Sequence, residues 1–100
     1  MATLNLPSRE ALEDLCRRWH IMELSVFGSV ARGSSRADSD IDLLVTFQPE
    51  APWSTLDLVD LREELAKLFS RTVDLVEEKA VRNPYRKQAI LRDKSVLYAA

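Results

Sequence analysis

The sequence predicts a small α/β domain with a single mixed β-sheet and helices packed on it. Three observations carry that expectation. Helix-type and strand-type patterns alternate along the chain. Proline, serine, asparagine and glycine punctuate them at short intervals. The chain is 100 residues long, 46% hydrophobic and 30% charged, which is globular composition with enough length for one core.

The first helix starts after Pro7, with Ser8 as its N-cap and Glu10 in the first turn. Leu12, Leu15, Cys16 and Trp19 form one apolar stripe at i, i+3, i+4 and i+7, and Glu13, Asp14, Arg17 and Arg18 lie off it. Leu24 to Phe27 is a short strand ending at Gly28, and a helical turn fits Ser29 to Arg32. Residues 33–39 have loop chemistry. Ile41 to Phe47 is the second strand, with Ile41, Leu43, Val45 and Phe47 on one face. After the prolines at 49 and 52, Ser54 and Asp57 suit a capping box for a helix carrying Leu58, Leu61, Leu65, Leu68 and Phe69. Arg71 to Val76 is the third strand, followed by loop at Glu77 and Glu78. Asn83-Pro84 opens a last helix reaching about Arg92, and Val96-Leu97-Tyr98 is a candidate terminal strand.

Bulk properties exclude several classes. A net charge of −2 provides no basic field for wrapping a long nucleic-acid duplex. A local basic cluster remains at Arg82, Arg86, Lys87, Arg92 and Lys94, read first as a solvated helix face and second as a patch for an acidic partner or RNA. The single cysteine, Cys16, excludes an internal disulfide and a cysteine-rich zinc site. The start lacks a signal-peptide pattern, and no apolar run approaches the ~18 residues of a membrane span. The expectation is one cytoplasmic domain over residues 1–100.

Asp40 and Asp42 stand two apart at the head of an otherwise apolar strand. Residues i and i+2 of a strand share a face, so two carboxylates would sit side by side and repel. Magnesium, which takes carboxylates, water and phosphate oxygens, would relieve that repulsion. The alternative is that Asp40 ends the loop and Asp42 points to solvent from an edge. Upstream, Gly28-Ser29 closes a strand and opens a helical turn, where backbone and hydroxyl can approach a phosphate. An ordinary strand-to-helix corner is the alternative there.

The whole run from Phe27 to Gly33, joined to Ser39-Asp40-Ile41-Asp42-Leu43-Leu44-Val45, resembles the signature of the polymerase-β-like nucleotidyltransferase superfamily, in particular its minimal branch. The resemblance implies that family's fold and a third acidic residue on a later strand, for which Asp74 stands in place. It also implies two magnesium ions held by Asp40, Asp42 and Asp74, with ATP as substrate and Asp74 taking the proton of the attacking hydroxyl. Gly28, Ser29 and Arg32 would be the nucleotide-binding positions, although packing or a salt bridge would equally suit Arg32. Minimal relatives resemble antitoxins paired with HEPN-type ribonuclease toxins, so the implied partner is such a toxin in a hetero-oligomer, and the implied reaction transfers AMP to its tyrosine. Two other readings stay open: transfer to a small molecule or an RNA end, and neutralisation by binding alone. His20 is expected at the surface or in a cap, Trp19 in the core, and Trp53 in a loop, with contact to a partner as its lesser reading.

Overall fold

A computed structural model describes residues 6–31 and 40–100, with the side chains of Ser29 and Val30 outside the description. The order is α1 (Arg9–Arg18), β1 (Ile21–Phe27), α2 (Gly28–Ala31), β2 (Ile41–Phe47), α3 (Thr55–Phe69), β3 (Val73–Glu77), a 3-10 turn (Glu78–Ala80), α4 (Pro84–Asp93) and β4 (Ser95–Ala99). The four strands form one mixed sheet in the order β3-β2-β1-β4. Strand β1 is antiparallel to both β2 and β4, and β2 is parallel to β3. Parallel neighbours need a long crossover, which α3 supplies between β2 and β3.

Local chemistry fixes the helix starts. Ser8 Oγ accepts from the Ala11 N–H at 3.2 Å. The Asp57 carboxylate accepts from the Ser54 backbone N–H at 2.8 Å and from its hydroxyl at 3.0 Å. Asn83 Oδ1 accepts from the N–H groups of Tyr85 and Arg86, with Pro84 in the first turn, where no intrahelical N–H bond is lost.

One face of the sheet is closed by α1 and α3. Leu12, Leu15 and Cys16 from α1 and Leu61, Leu65 and Phe69 from α3 pack on Ile41, Leu43, Val45 and Val73. Burial pushes the Cys16 thiol up to about 12, so it stays protonated and serves as packing. The other face holds a smaller cluster of Phe27, Leu44, Val81 and Ile90, with α4 over it.

Three elements differ from the sequence expectation. Strand β1 begins at Ile21 rather than Leu24, because a register shift between Ile21 and Glu23 breaks the alternation. Ile21 and Leu24 are therefore both core residues although their spacing is odd. The tail is a full edge strand, pairing Ser95 with Val26 and Ala99 with Glu23. Glu77 ends β3, and Glu78 opens the 3-10 turn and accepts from Thr46 Oγ1 at 2.8 Å, so neither is free loop.

Two side chains of the expected surface are also tied down. Lys94, assigned above to the basic cluster, reaches Glu23 Oε2 at 2.6 Å, and both side chains are half-buried. Trp53 donates from Nε1 to the Trp19 carbonyl at 2.6 Å and packs on the Trp19 ring at 4.7 Å between centroids. It is a clasp between the segment before α3 and the end of α1. Trp19 is half-buried and donates its own indole N–H to Glu64 Oε2 at 2.8 Å. His20 is exposed, adopts a left-handed φ of 52° in the turn after α1, and accepts from the Gln48 N–H through its carbonyl. No helix among the described residues is long and apolar enough to cross a membrane.

Candidate active site

Sheet register brings together residues that lie far apart in sequence. Asp42 and Asp74 are direct partners in the parallel β2–β3 pair, so their side chains emerge on the same face of adjacent strands. Phe27, the last residue of β1, is the partner of Asp42 on the other side. Gly28 follows it immediately. Across this end of the sheet the order is thus Gly28 after β1, Asp42 on β2 and Asp74 on the outer strand β3.

The face is set by alternation. Ile41, Leu43 and Val45 point into the large core, so Asp42 and Leu44 point the opposite way, as do Asp74 and Val76 beside them. Asp42 is half-buried and Asp74 is exposed. Asp40 stands one residue ahead of β2, exposed, on the Asp42 side by the same alternation.

Gly28 explains how Asp42 fits. Its φ is +74°, a conformation that L side chains rarely adopt. A Cβ built on Gly28 would collide with Asp42 Oδ2 and stand 3.2 Å from its Cγ. The carboxylate lies directly against the glycine backbone, and any side chain there would displace it. Glycine is therefore fixed twice, by backbone conformation and by the carboxylate packed on it.

Among the described residues no three acidic, histidine or cysteine side chains converge into a ready-made metal cage. The arrangement is a pair, Asp42 beside Asp74, with Asp40 flanking it. That suits magnesium, which is held through one or two carboxylates and fills its shell with water and phosphate oxygens. Two facing carboxylates on adjacent strands destabilise the sheet unless a cation lies between them. Of the other expected positions, Arg32 lies outside the described residues, and Ser29 is placed in α2 by its backbone only.

The alignment of Asp74 with Asp42 was beyond the sequence, which leaves strand order open. The signal that points to it is the lone aspartate within Val73–Val76, a poor strand former amid β-branched neighbours.

Known proteins share this architecture. A sequence model of the nucleotidyltransferase domain matches residues 8–97. The protein adenylyltransferase MntA of Thermococcus cleftensis is 37% identical over 98 residues, covering 93% of this chain and 96% of that one. The solved structure of a candidate minimal nucleotidyltransferase superposes with a TM-score of 0.71 at 40% identity, over 87% of this chain and 86% of that chain. A chain from the complex of tri-AMPylated Shewanella oneidensis HEPN toxin with MNT antitoxin superposes at a TM-score of 0.66. It is 19% identical and covers 92% of this chain and 70% of that one, a likeness of fold.

Proposed function

The chain belongs to the nucleotidyltransferase domain family, and we propose that it is a magnesium-dependent protein adenylyltransferase acting as an antitoxin. Its acceptor in this proposal is a tyrosine hydroxyl of a HEPN-type ribonuclease toxin, and its donor is ATP. The observation that carries the reading is the in-register pair Asp42–Asp74 with Gly28 pressed against Asp42. The adenylyltransferase name of the Thermococcus relative supports protein as the acceptor class. The AMPylated HEPN toxin bound to an MNT antitoxin of the same fold supports the partner.

The linear order Gly28, Asp42, Asp74 supports a direction for the reaction. The phosphates lie toward Gly28, where the absent side chain lets backbone approach them. The acceptor hydroxyl arrives over β3, beside Asp74. Asp40, Asp42 and Asp74 would hold magnesium, which supplies charge neutralisation at the triphosphate and lowers the hydroxyl pKa. The hydroxyl oxygen bonds to the α-phosphorus, the bond to the bridging oxygen breaks, and pyrophosphate leaves on the Gly28 side. The hydroxyl proton passes to the Asp74 carboxylate. Asp74 is exposed, so it returns that proton to water.

Incubation of the chain with a co-purified HEPN-type toxin, magnesium and labelled ATP tests the proposal. Label on a toxin tyrosine, lost in Asp42→Ala, is the expected result. A toxin that is silenced without label would replace it with neutralisation by binding. Label on an added aminoglycoside instead would move the acceptor to small molecules.

A further inference from the structure

The outer strand β3 carries Asp74 on one face, and a groove runs along its other flank. At the catalytic end the groove is open, about 540 Å³, and is lined by Arg62, Lys67 and Arg71 together with Glu63, Ala66 and Val73. Val73 is the residue next to Asp74 but faces the other side of the sheet, so this cationic stretch lies at the same end of β3 as the Asp74 carboxylate, across the free edge of that outer strand. Farther along β3 a second pocket of about 230 Å³ lies between Leu58, Val59 and Leu75 and shares Arg62 with the first. Val59 is 40% exposed and Leu56, one turn earlier, is 79% exposed. Large apolar side chains left bare beside an open strand edge mark a contact surface.

Charge adds direction. Arg62 and Lys67 have no ion-pair partner among the described residues, whereas Arg9 and Arg18 on α1 are paired with acidic neighbours. The chain as a whole carries −2, whereas Arg62, Lys67 and Arg71 outnumber the single carboxylate, Glu63, in this part of the groove. A segment laid along this flank meets positive charge near Asp74 and apolar surface beyond it.

We propose that this α3–β3 flank is the docking track for the acceptor protein, which places an acidic stretch against Arg62, Lys67 and Arg71 and apolar side chains against Leu58, Val59 and Leu75. The track rests on the reading of Asp74 as the acceptor side of the reaction. It gives the chain a way to choose its acceptor: a tyrosine flanked by acidic residues is held at the free edge of β3, over which its hydroxyl reaches toward Asp74. Electrostatic complementarity of this kind raises encounter rate and selects partners.

The test is binding of short fluorescent tyrosine peptides to the full chain without ATP. One peptide carries aspartates beside the tyrosine and leucine and valine beyond; a second has lysines in place of the aspartates. The acidic peptide is expected to bind on the order of tenfold tighter than the basic one. The double variant Arg62→Glu/Lys67→Glu is expected to abolish that preference, while the exposed control Arg86→Glu keeps it. Magnesium-ATP affinity, unchanged in both variants, verifies that they are folded. Equal binding of the two peptides, or a preference that survives in the double variant, overturns the track. Because the readout omits nucleotide transfer, failure of adenylyl transfer leaves it standing, and a labelled toxin with no peptide preference sinks the track alone.

Discussion

On the face covered by α1 and α3, Ile41, Leu43, Val45, Leu61 and Leu65 are fully buried in one continuous apolar layer. The opposite face of the same strands carries Asp42 and Asp74 at one end with Phe27 beside Asp42, Leu44, Val81 and Ile90 next to them, and Thr46 hydrogen-bonded to Glu78 at the other end. Alternation makes both faces from one sequence: in β2 each core residue is followed by one that serves the other side. The first face supplies stability through burial, and the second gives up part of that gain to hold charges and a glycine in left-handed backbone. A rigid layer behind the carboxylates is what keeps them in place.

Substitutions on the two faces are therefore expected to part company. Leu65→Ala on the packed face removes a fully buried side chain from α3, and by urea denaturation should cost about 2–5 kcal/mol. A loss under 1 kcal/mol would mean that the two layers are not distinct. Gly28→Ala on the other face has a smaller effect on stability, about 1–2 kcal/mol from the left-handed backbone, but it should displace Asp42. Nucleotidyl transfer should fall well beyond what the stability change explains.

Ser25 sharpens the contrast further. It is completely buried on the Phe27 side of β1, and its hydroxyl has no hydrogen-bond partner among the described residues. Removing a buried, unsatisfied hydroxyl relieves a desolvation cost, so Ser25→Ala should leave stability unchanged or raise it by up to about 1 kcal/mol. Thermal unfolding of the variant reads this directly.

The smallest expected effect lies at the junction of α1 and α3. Burial alone would raise the Glu64 carboxyl, but hydrogen bonds from Arg18 and Trp19 overcome it and hold the group below its ordinary value of 4.5. A depressed carboxyl contributes stability above its unfolded value and loses it as pH falls through the folded one. The sensitive window is therefore below pH 4.5. Melting temperatures followed from neutral pH into that range should fall more steeply for the native chain than for Glu64→Gln. Parallel slopes would remove Glu64 from the acid response.

These outcomes reflect how unevenly sequence reports structure. Local chemistry was readable: the Ser8 and Asn83 caps, the Asp57 bond back to Ser54, and the alternation through β2 all appear where the residues place them. So was the core stripe of Leu12, Leu15 and Cys16. What escaped depends on partners remote in the chain. The Lys94–Glu23 pair joins residues 71 apart, and the Trp53 clasp on Trp19 spans 34. The start of β1 was hidden by a bulge, which defeats any period-two reading. The site divides in the same way. Asp42 and Gly28 were visible as a motif, but the contact between them and the alignment of Asp74 arise only from sheet register.

As the site is proposed to work, Asp42 serves chemistry and not the fold. Transfer of labelled AMP and thermal unfolding, measured on the same preparation of Asp42→Asn, test it together. The variant keeps the volume and removes the negative charge beside Asp74. Transfer is expected to fall on the order of 10³-fold, with a melting temperature equal to or above that of the native chain. Full transfer by Asp42→Asn, or a chain that unfolds without that carboxylate, would contradict it.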